Sequence, residues 1–344
     1  DQVYFAGETC LPEWDPDPQP RSPFDLAAFN PALVTPPNLP AYTVEVQRLL
    51  LEAWLVAVIA DIRPVPLLAA VGQMDGGKTT LIKAVCQLLI NSSPSSLSDD
   101  PRDLWSLAVG LPVLGLDNVD RESPPWLADL FAAVISGVNF DRRRLFTNAT
   151  IDRRRARAVP LLSTRNGGCL ARPDVSQRTL LLLTGQFTGR RRSDKQMFEE
   201  IDRNRGAVLT WLAEKAVLAL ERLPEAPLDL PSRYVDFAGL VWALESELAQ
   251  PALIALQQAQ ALLVGEEDRL LAALIEHADE LLGPLNQWRG RAKDLVVELD
   301  RHGSQLPYLG GGKAIAFRLR EGQSILAMFG LSLAWEQKSN TTYF

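Results

Sequence analysis

The chain has 344 residues, 47% of them hydrophobic, and a formal net charge of −7. That length accommodates two or three domains and that apolar content builds packed cores, which excludes a disordered protein, while the acidic balance excludes a uniformly basic nucleic-acid binder and leaves room only for local basic surfaces. Two histidines and three widely spaced cysteines (Cys10, Cys86, Cys169) argue against a histidine- or cysteine-built metal site and against a disulfide framework, so a cytoplasmic setting is expected.

The chain opens on Asp1 without a methionine and carries no evident signal peptide, so a segment of a longer protein is expected. No apolar run reaches membrane length, and no membrane partner is expected. Residues 1–41 are rich in proline and punctuated by acids. Such a stretch holds neither a helix nor a central strand and reads as a linker or an arm lying on a neighbour. Thr43 then caps a helix with Glu45 and Gln47 in its first turn and an apolar face through Val58.

The stretch from Val65 to Val71 is short, apolar and bounded by turn residues, suited to a buried parallel strand. Gly72-Gln73-Met74-Asp75-Gly76-Gly77-Lys78-Thr79 follows and reads G-x-x-x-x-G-K-T, the phosphate loop. An apolar helix from Thr79 and Thr80 to Ile90 completes the strand–loop–helix context. The glycines let backbone N–H groups turn toward phosphates, and the helix N-terminus adds partial positive charge. In this reading Gly72, Asp75, Gly76, Gly77, Lys78, Thr79 and Thr80 bind ATP. Lys78 reaches the β- and γ-phosphates, and the Thr79 hydroxyl ligates Mg²⁺.

A polar loop (91–96), a short helix (103–109) and an apolar strand (112–118) come next. The strand ends in Asp117, the Walker B position that holds Mg²⁺. Asn118 stands where most ring ATPases carry Glu. An amide orients water but cannot take its proton, so Asp120 or Glu122 is a possible substitute. A helix is predicted over 125–135. Two arginine-rich arms follow, Asp141 to Arg144 and Arg153 to Arg157, around a turn at 149–152, and they read as a β-hairpin. Its cations suit either phosphate backbones or the acids of a neighbouring subunit.

The strand 159–166 ends in Thr164 and Asn166, the two candidates for a polar residue that senses the γ-phosphate. Arg178 precedes a last strand (179–183) and is placed as an arginine finger on a neighbouring subunit's ATP, with Arg172 in reserve. Against this, Arg172 or Arg178 could simply pair with Asp174. From 193 to 282 the apolar spacing is helical, as 194–222, 233–249 and 251–282, and reads as a lid domain. Helices at 288–299 and 313–329 and a hairpin at 331–344 give the winged-helix order. Lys313, Arg318 and Arg320 set a basic face on the second helix, suited to DNA or to protein docking.

On the residues Gly72 to Thr79, Leu116 to Val119, Trp126 to Asp129, Asn139 to Asn148 and Arg172 to Arg178, the chain resembles phage and mobile-element ATP-binding proteins. They are similar to the helicase part of phage and poxvirus primase-helicases, in AAA+ superfamily 3. The resemblance covers about residue 42 onward and is strongest over 65–185. It implies an α/β P-loop AAA+ core with a parallel sheet (42–192), a helical lid domain (193–282) and a C-terminal winged helix (283–344). It also implies a ring-forming homo-oligomer, a hexamer, on single-stranded DNA, in which Arg153, Arg154 and Arg155 face the pore and Arg142 to Arg144 the subunit interface. A primase or other replication protein is an implied partner. Two functions stay open: an ATP-driven DNA translocase or helicase, and an ATP-gated assembly with slow hydrolysis. A small-molecule kinase is disfavoured for want of an acceptor site.

Overall fold

The computed structural model describes residues 11–98, 100–119, 124, 126–143, 151–165, 167–189, 192–267, 269–283, 287–304, 306–307, 309–328, 331–338 and 341–343. The chain divides into two compact units, 1–256 and 257–344. The first contains α1 (Val44–Ile59), β1 (Leu67–Gly72), α2 (Lys78–Ile90), α3 (Pro101–Gly110), β2 (Val113–Leu116), α4 (Trp126–Ile135), β3 (Asn139–Arg143), β4 (Ile151–Arg155), β5 (Val159–Thr164), α5 (Pro173–Ser176), β6 (Thr179–Thr184), α6 (Asp194–Arg222), α7 (Val235–Leu244) and the first half of α8 (Ser246–Glu267). The second follows with α9 (Arg269–Glu276), α10 (Ala278–Leu282), α11 (Ala292–Arg301), α12 (Gly312–Glu321), α13 (Gln323–Met328), β7 (Glu336–Lys338) and β8 (Thr341–Tyr343).

Four parallel strands in the order β2-β5-β1-β6 form the central sheet. Leu68 of β1 stands opposite Leu161 on one side and Leu180 on the other. β1, β2, β5 and β6 are almost wholly buried, which is why they read as continuous apolar runs rather than alternating ones. Because the strands are parallel, their carboxyl ends all open on one side, where ligands of open α/β sheets bind. The segments after β1, β2, β5 and β6 meet there.

Helix α1 is buried nearly all round, with Trp54 wholly inside and its indole N–H donating to the Pro66 carbonyl at 2.8 Å. Helix α6 spans the predicted 194–222 and begins in a capping box of Ser193 and Gln196. It packs on α1 and α2, so of the helices expected to form a separate lid, α6, α7 and the first half of α8 group with the sheet, and the rest fall beyond the division at 256/257.

The proline-rich segment expected to be a linker or an arm on a neighbour packs, over residues 15–39, on its own unit. Leu26, Ala28, Phe29 and Leu39 are buried. Asp17 and Arg21 bond to α6 through Thr210 and Ala207. Residues 32–34 lie along the end of β6, with Val34 N–H on the Leu183 carbonyl at 2.9 Å and Gly185 N–H on Ala32 at 2.8 Å. Proline forbids helix but not this extended edge pairing. Gln47, wholly buried, fixes the arm. Its amide donates to the Val34 and Tyr42 carbonyls (2.8 and 3.2 Å), and its carbonyl accepts from Leu183 N–H at 2.7 Å.

In the second unit Leu270, Leu271, Leu295, Leu299, Leu319 and Leu326 form a core. The helix predicted over 313–329 breaks at Gly322, where an added Cβ would sit 2.5 Å from the Leu271 side chain. The strands β7 and β8 pair antiparallel. No described helix is long and apolar enough to cross a membrane.

Candidate functional site

The phosphate loop leaves β1 at Gly72, whose φ of +144° admits glycine and few others. A Cβ there would overlap the Thr184 carbonyl, and one at Gly76 would lie 2.6 Å from the Thr184 hydroxyl. The loop is therefore packed hard against the end of β6. Its carbonyls are taken up by the protein: Gly76 accepts from Ala32 N–H at 2.9 Å, Asp75 from Phe187 N–H at 3.3 Å, and Gln73 from Lys78 Nζ. Lys78 is 8% exposed. The N-cap of α2 is Gly77, in the left-handed region, with no side chain to satisfy the first-turn amides. Those amides and the helix dipole are what an anionic phosphate requires.

Beside the loop, Thr79 Oγ1 donates to Asp117 Oδ1 at 2.8 Å. The same carboxylate oxygen accepts from Ser163 Oγ at 2.6 Å, and Ser163 Oγ accepts from Asn118 N–H at 2.8 Å. The first turn of α2, the end of β2 and strand β5 thus converge on Asp117. A hydroxyl and a carboxylate at this spacing form the hard oxygen set that Mg²⁺ takes when nucleotide phosphates complete its shell. Among the described residues no cluster of three or more His, Cys, Asp or Glu offers a protein-only metal site. Asn118 has φ +58°, a conformation asparagine tolerates better than most residues.

Ser163 was not singled out from sequence. The two sensor candidates follow it: Thr164 is buried and accepts from Gly167 N–H at 3.4 Å, and Asn166 lies outside the described residues, as do Asp120 and Glu122. The sequence signal for Ser163 is a hydroxyl, beside that of Thr164, at the end of an apolar strand.

Arg178 lies at the other end of the sheet. Leu67 N–H donates to its carbonyl at 2.9 Å, and its guanidinium donates to the Ala132 carbonyl (2.9 Å) and Ser136 Oγ (2.7 Å) at the end of α4. Arg172 bridges Asp129 and Asp174, and these bonds hold the Asp174 carboxyl below its ordinary range. Arg233, also missed, reaches Gln177 Oε1 at 3.2 Å. Next to it the Tyr234 phenol is pushed up to about 12 by burial, against the lowering pull of Arg178 and Arg233.

The predicted hairpin pairs as β3 and β4 in antiparallel register, with Asp141 opposite Arg153, Arg142 opposite Asp152 and Phe140 opposite Arg154. Ile151 and Asp152, assigned to the turn, belong to the strand; residues 144–150 lie outside the described residues. Arg155 is exposed and donates to the Gly137 carbonyl at 3.1 Å. Lys313, Arg318 and Arg320 are exposed on α12.

A parallel sheet with a glycine loop, a helix N-terminus and a hydroxyl–carboxylate pair at its carboxyl edge defines an α/β protein of the P-loop class. The chain belongs to the family of actinomycete integrative conjugative element replication proteins, whose model matches residues 38–265. No curated protein matches the sequence. Among solved structures it is similar to the apo C-terminal region of NrS-1, at 14% identity and TM-score 0.42, over 96% of this chain and 78% of that one. A second NrS-1 structure, the A form, gives 13% and 0.40 over the same shares. A JCV helicase with a bound acetamide compound matches at 14% and 0.29, over 64% and 66%. At TM-scores under 0.5 the chemistry of the site rests on this chain's own residues.

Proposed function

We propose that this replication protein is a Mg²⁺-dependent ATPase that moves along or unwinds DNA as a ring of identical subunits. The observation that carries the reading is the 2.8 Å contact between Thr79 and Asp117, which unites the two halves of a nucleotide–Mg²⁺ site predicted separately from sequence. Water attacks the γ-phosphorus, the bond to the bridging oxygen breaks and the water's proton passes to the released phosphate, leaving ADP. Loop amides and Lys78 hold the phosphates; Thr79 and Asp117 would hold Mg²⁺, which would offset phosphate charge; the Asn118 amide orients the water.

Arg178 acts in trans on this reading. Five residues of β1 at about 3.3 Å each separate its level from Gly72, about 17 Å, beyond a side chain's reach in its own subunit. The hexamer, and the pore position of Arg153, Arg154 and Arg155, follow from the family resemblance. Steady-state ATP hydrolysis of wild type and Lys78→Ala, with and without single-stranded DNA over a salt series, tests the proposal. DNA-stimulated turnover that is lost in the variant and falls steeply with salt supports it. Normal turnover in Arg178→Ala would sink the finger assignment.

A second reading is favoured by Asn118, an amide where a carboxylate would take the proton, with its backbone N–H fixed on Ser163. ATP binding then assembles the subunits, slow hydrolysis times their release, and the C-terminal unit, winged-helix-like in element order, recruits a primase or another replication protein. ATP-dependent assembly on DNA without strand separation would select this reading.

A further inference from the structure

We infer that α12 and the chain before β7 form a stacking platform for single-stranded DNA, with Phe317 and Trp335 meeting bases and Lys313, Arg318 and Arg320 meeting phosphates. Helix α12 turns Ile315, Ala316 and Leu319 into the core of its unit. Its outer side carries Lys313, Phe317 and Arg320 at i, i+4 and i+7, a single stripe, with Arg318 on the flank. Phe317 is 64% exposed and Trp335 is 43% exposed. The Arg320 guanidinium lies over the Trp335 ring, 5.1 Å from its centroid.

An isolated exposed apolar residue is ordinary. Here one aromatic holds an arginine over its ring, and a second stands one turn from that arginine on a face with three cations, in a chain whose net charge is −7. The charge complement is a polyanion, and the aromatics call for a polyanion that offers flat apolar faces. Single-stranded nucleic acid does so, and stacking on it tolerates any base. A duplex keeps those faces inside its own stack and would use only the cations. An acidic peptide has no such faces. The inference therefore departs from a duplex-groove role for this helix. It rests on the replication role of the family and needs no ATP chemistry.

The test is fluorescence anisotropy of a labelled oligothymidylate with the full chain in a Lys78→Ala background without nucleotide, over a salt series, beside a blunt duplex of equal length. Phe317→Ala is expected to weaken single-strand binding about tenfold or more, within the range for loss of one stacked base, with the slope of log affinity against log salt unchanged. Arg318→Ala is expected to reduce that slope by about 0.7. Phe317→Trp retains affinity, and duplex binding is indifferent to Phe317. Wild-type single-strand affinity in Phe317→Ala, an equal loss on duplex, or a loss that takes the salt slope with it overturns the platform. Because the assay omits ATP, a failed ATPase measurement and a failed platform are separate results.

Discussion

Ser163→Ala isolates the hydroxyl that ties β5 to Asp117, the carboxylate proposed to hold Mg²⁺. Ser163 is 2% exposed and its Oγ makes two contacts, donating to Asp117 at 2.6 Å and accepting from Asn118 N–H at 2.8 Å. Alanine keeps the Cβ and the strand, so the perturbation is the loss of those two bonds. A bond to a carboxylate contributes about 1.5–3 kcal/mol net and a neutral one about 0.5–1.5. Thr79 still holds Asp117, so part of that loss reaches the transition state. At about 1.4 kcal/mol per tenfold, kcat for ATP falls roughly 10- to 100-fold. The hydrogen bonds of Ser163 Oγ run to Asp117 and Asn118, so ATP affinity is expected to change little, while the Mg²⁺ needed for half-maximal rate rises. The assay is steady-state hydrolysis against ATP and Mg²⁺, with urea unfolding of the same preparations. An unchanged kcat and Mg²⁺ requirement, with only stability lowered, would make Ser163 a packing residue and refute its positioning role.

Gln47→Leu removes three buried bonds and strands the Leu183 N–H. At about 1–2 kcal/mol for each group left unpaired, stability in urea drops by about 3–5 kcal/mol and ATP binding weakens with it; a change under about 1 kcal/mol would mean the arm is not fixed there. Burial pushes the Cys86 thiol up to about 12, so at pH 8 it stays unalkylated in the folded chain and reacts on unfolding; rapid native labelling of Cys86 would contradict its place behind β2. Asp174 is held below its ordinary 3.8 by Arg172. A depressed carboxyl adds stability above that value and loses it as pH falls through the lowered one, so wild type exceeds Asp174→Asn at neutral pH and the gap closes in acid. With both partners about half exposed, the gap is at most about 1 kcal/mol, read from urea midpoints across a pH series.

How much was legible in the sequence follows the range of the interactions. The loop, its strand and its helix are one contiguous stretch, and α6 carries a local capping box; both stand where predicted. Asp117 was legible because a carboxylate ending an apolar strand is a local pattern. Ser163 was not, because its significance is a contact to a residue 46 positions away. The arm misread for the same reason: proline content excludes a helix but does not say which sheet edge the chain meets. The helix expected over 313–329 ran through Gly322, whose Cβ space is taken by Leu271, a residue 51 positions away.

Those long-range contacts also explain why the phosphate loop needs more than its own residues. A glycine loop without support would sample many shapes, and ordering it on binding would cost affinity. Here Thr184 fills the space beside Gly72 and Gly76 from below. Ala32 and Phe187 take its outward carbonyls from either side. Ala32 in turn is held by Gly185, and Val34 by Leu183 and Gln47. The backbone of the loop is therefore set by a chain of bonds from α1 through the arm to the end of β6. Residues 30–34, Asn-Pro-Ala-Leu-Val with no motif of their own, thus belong to the site through the backbone they brace rather than through any side-chain chemistry.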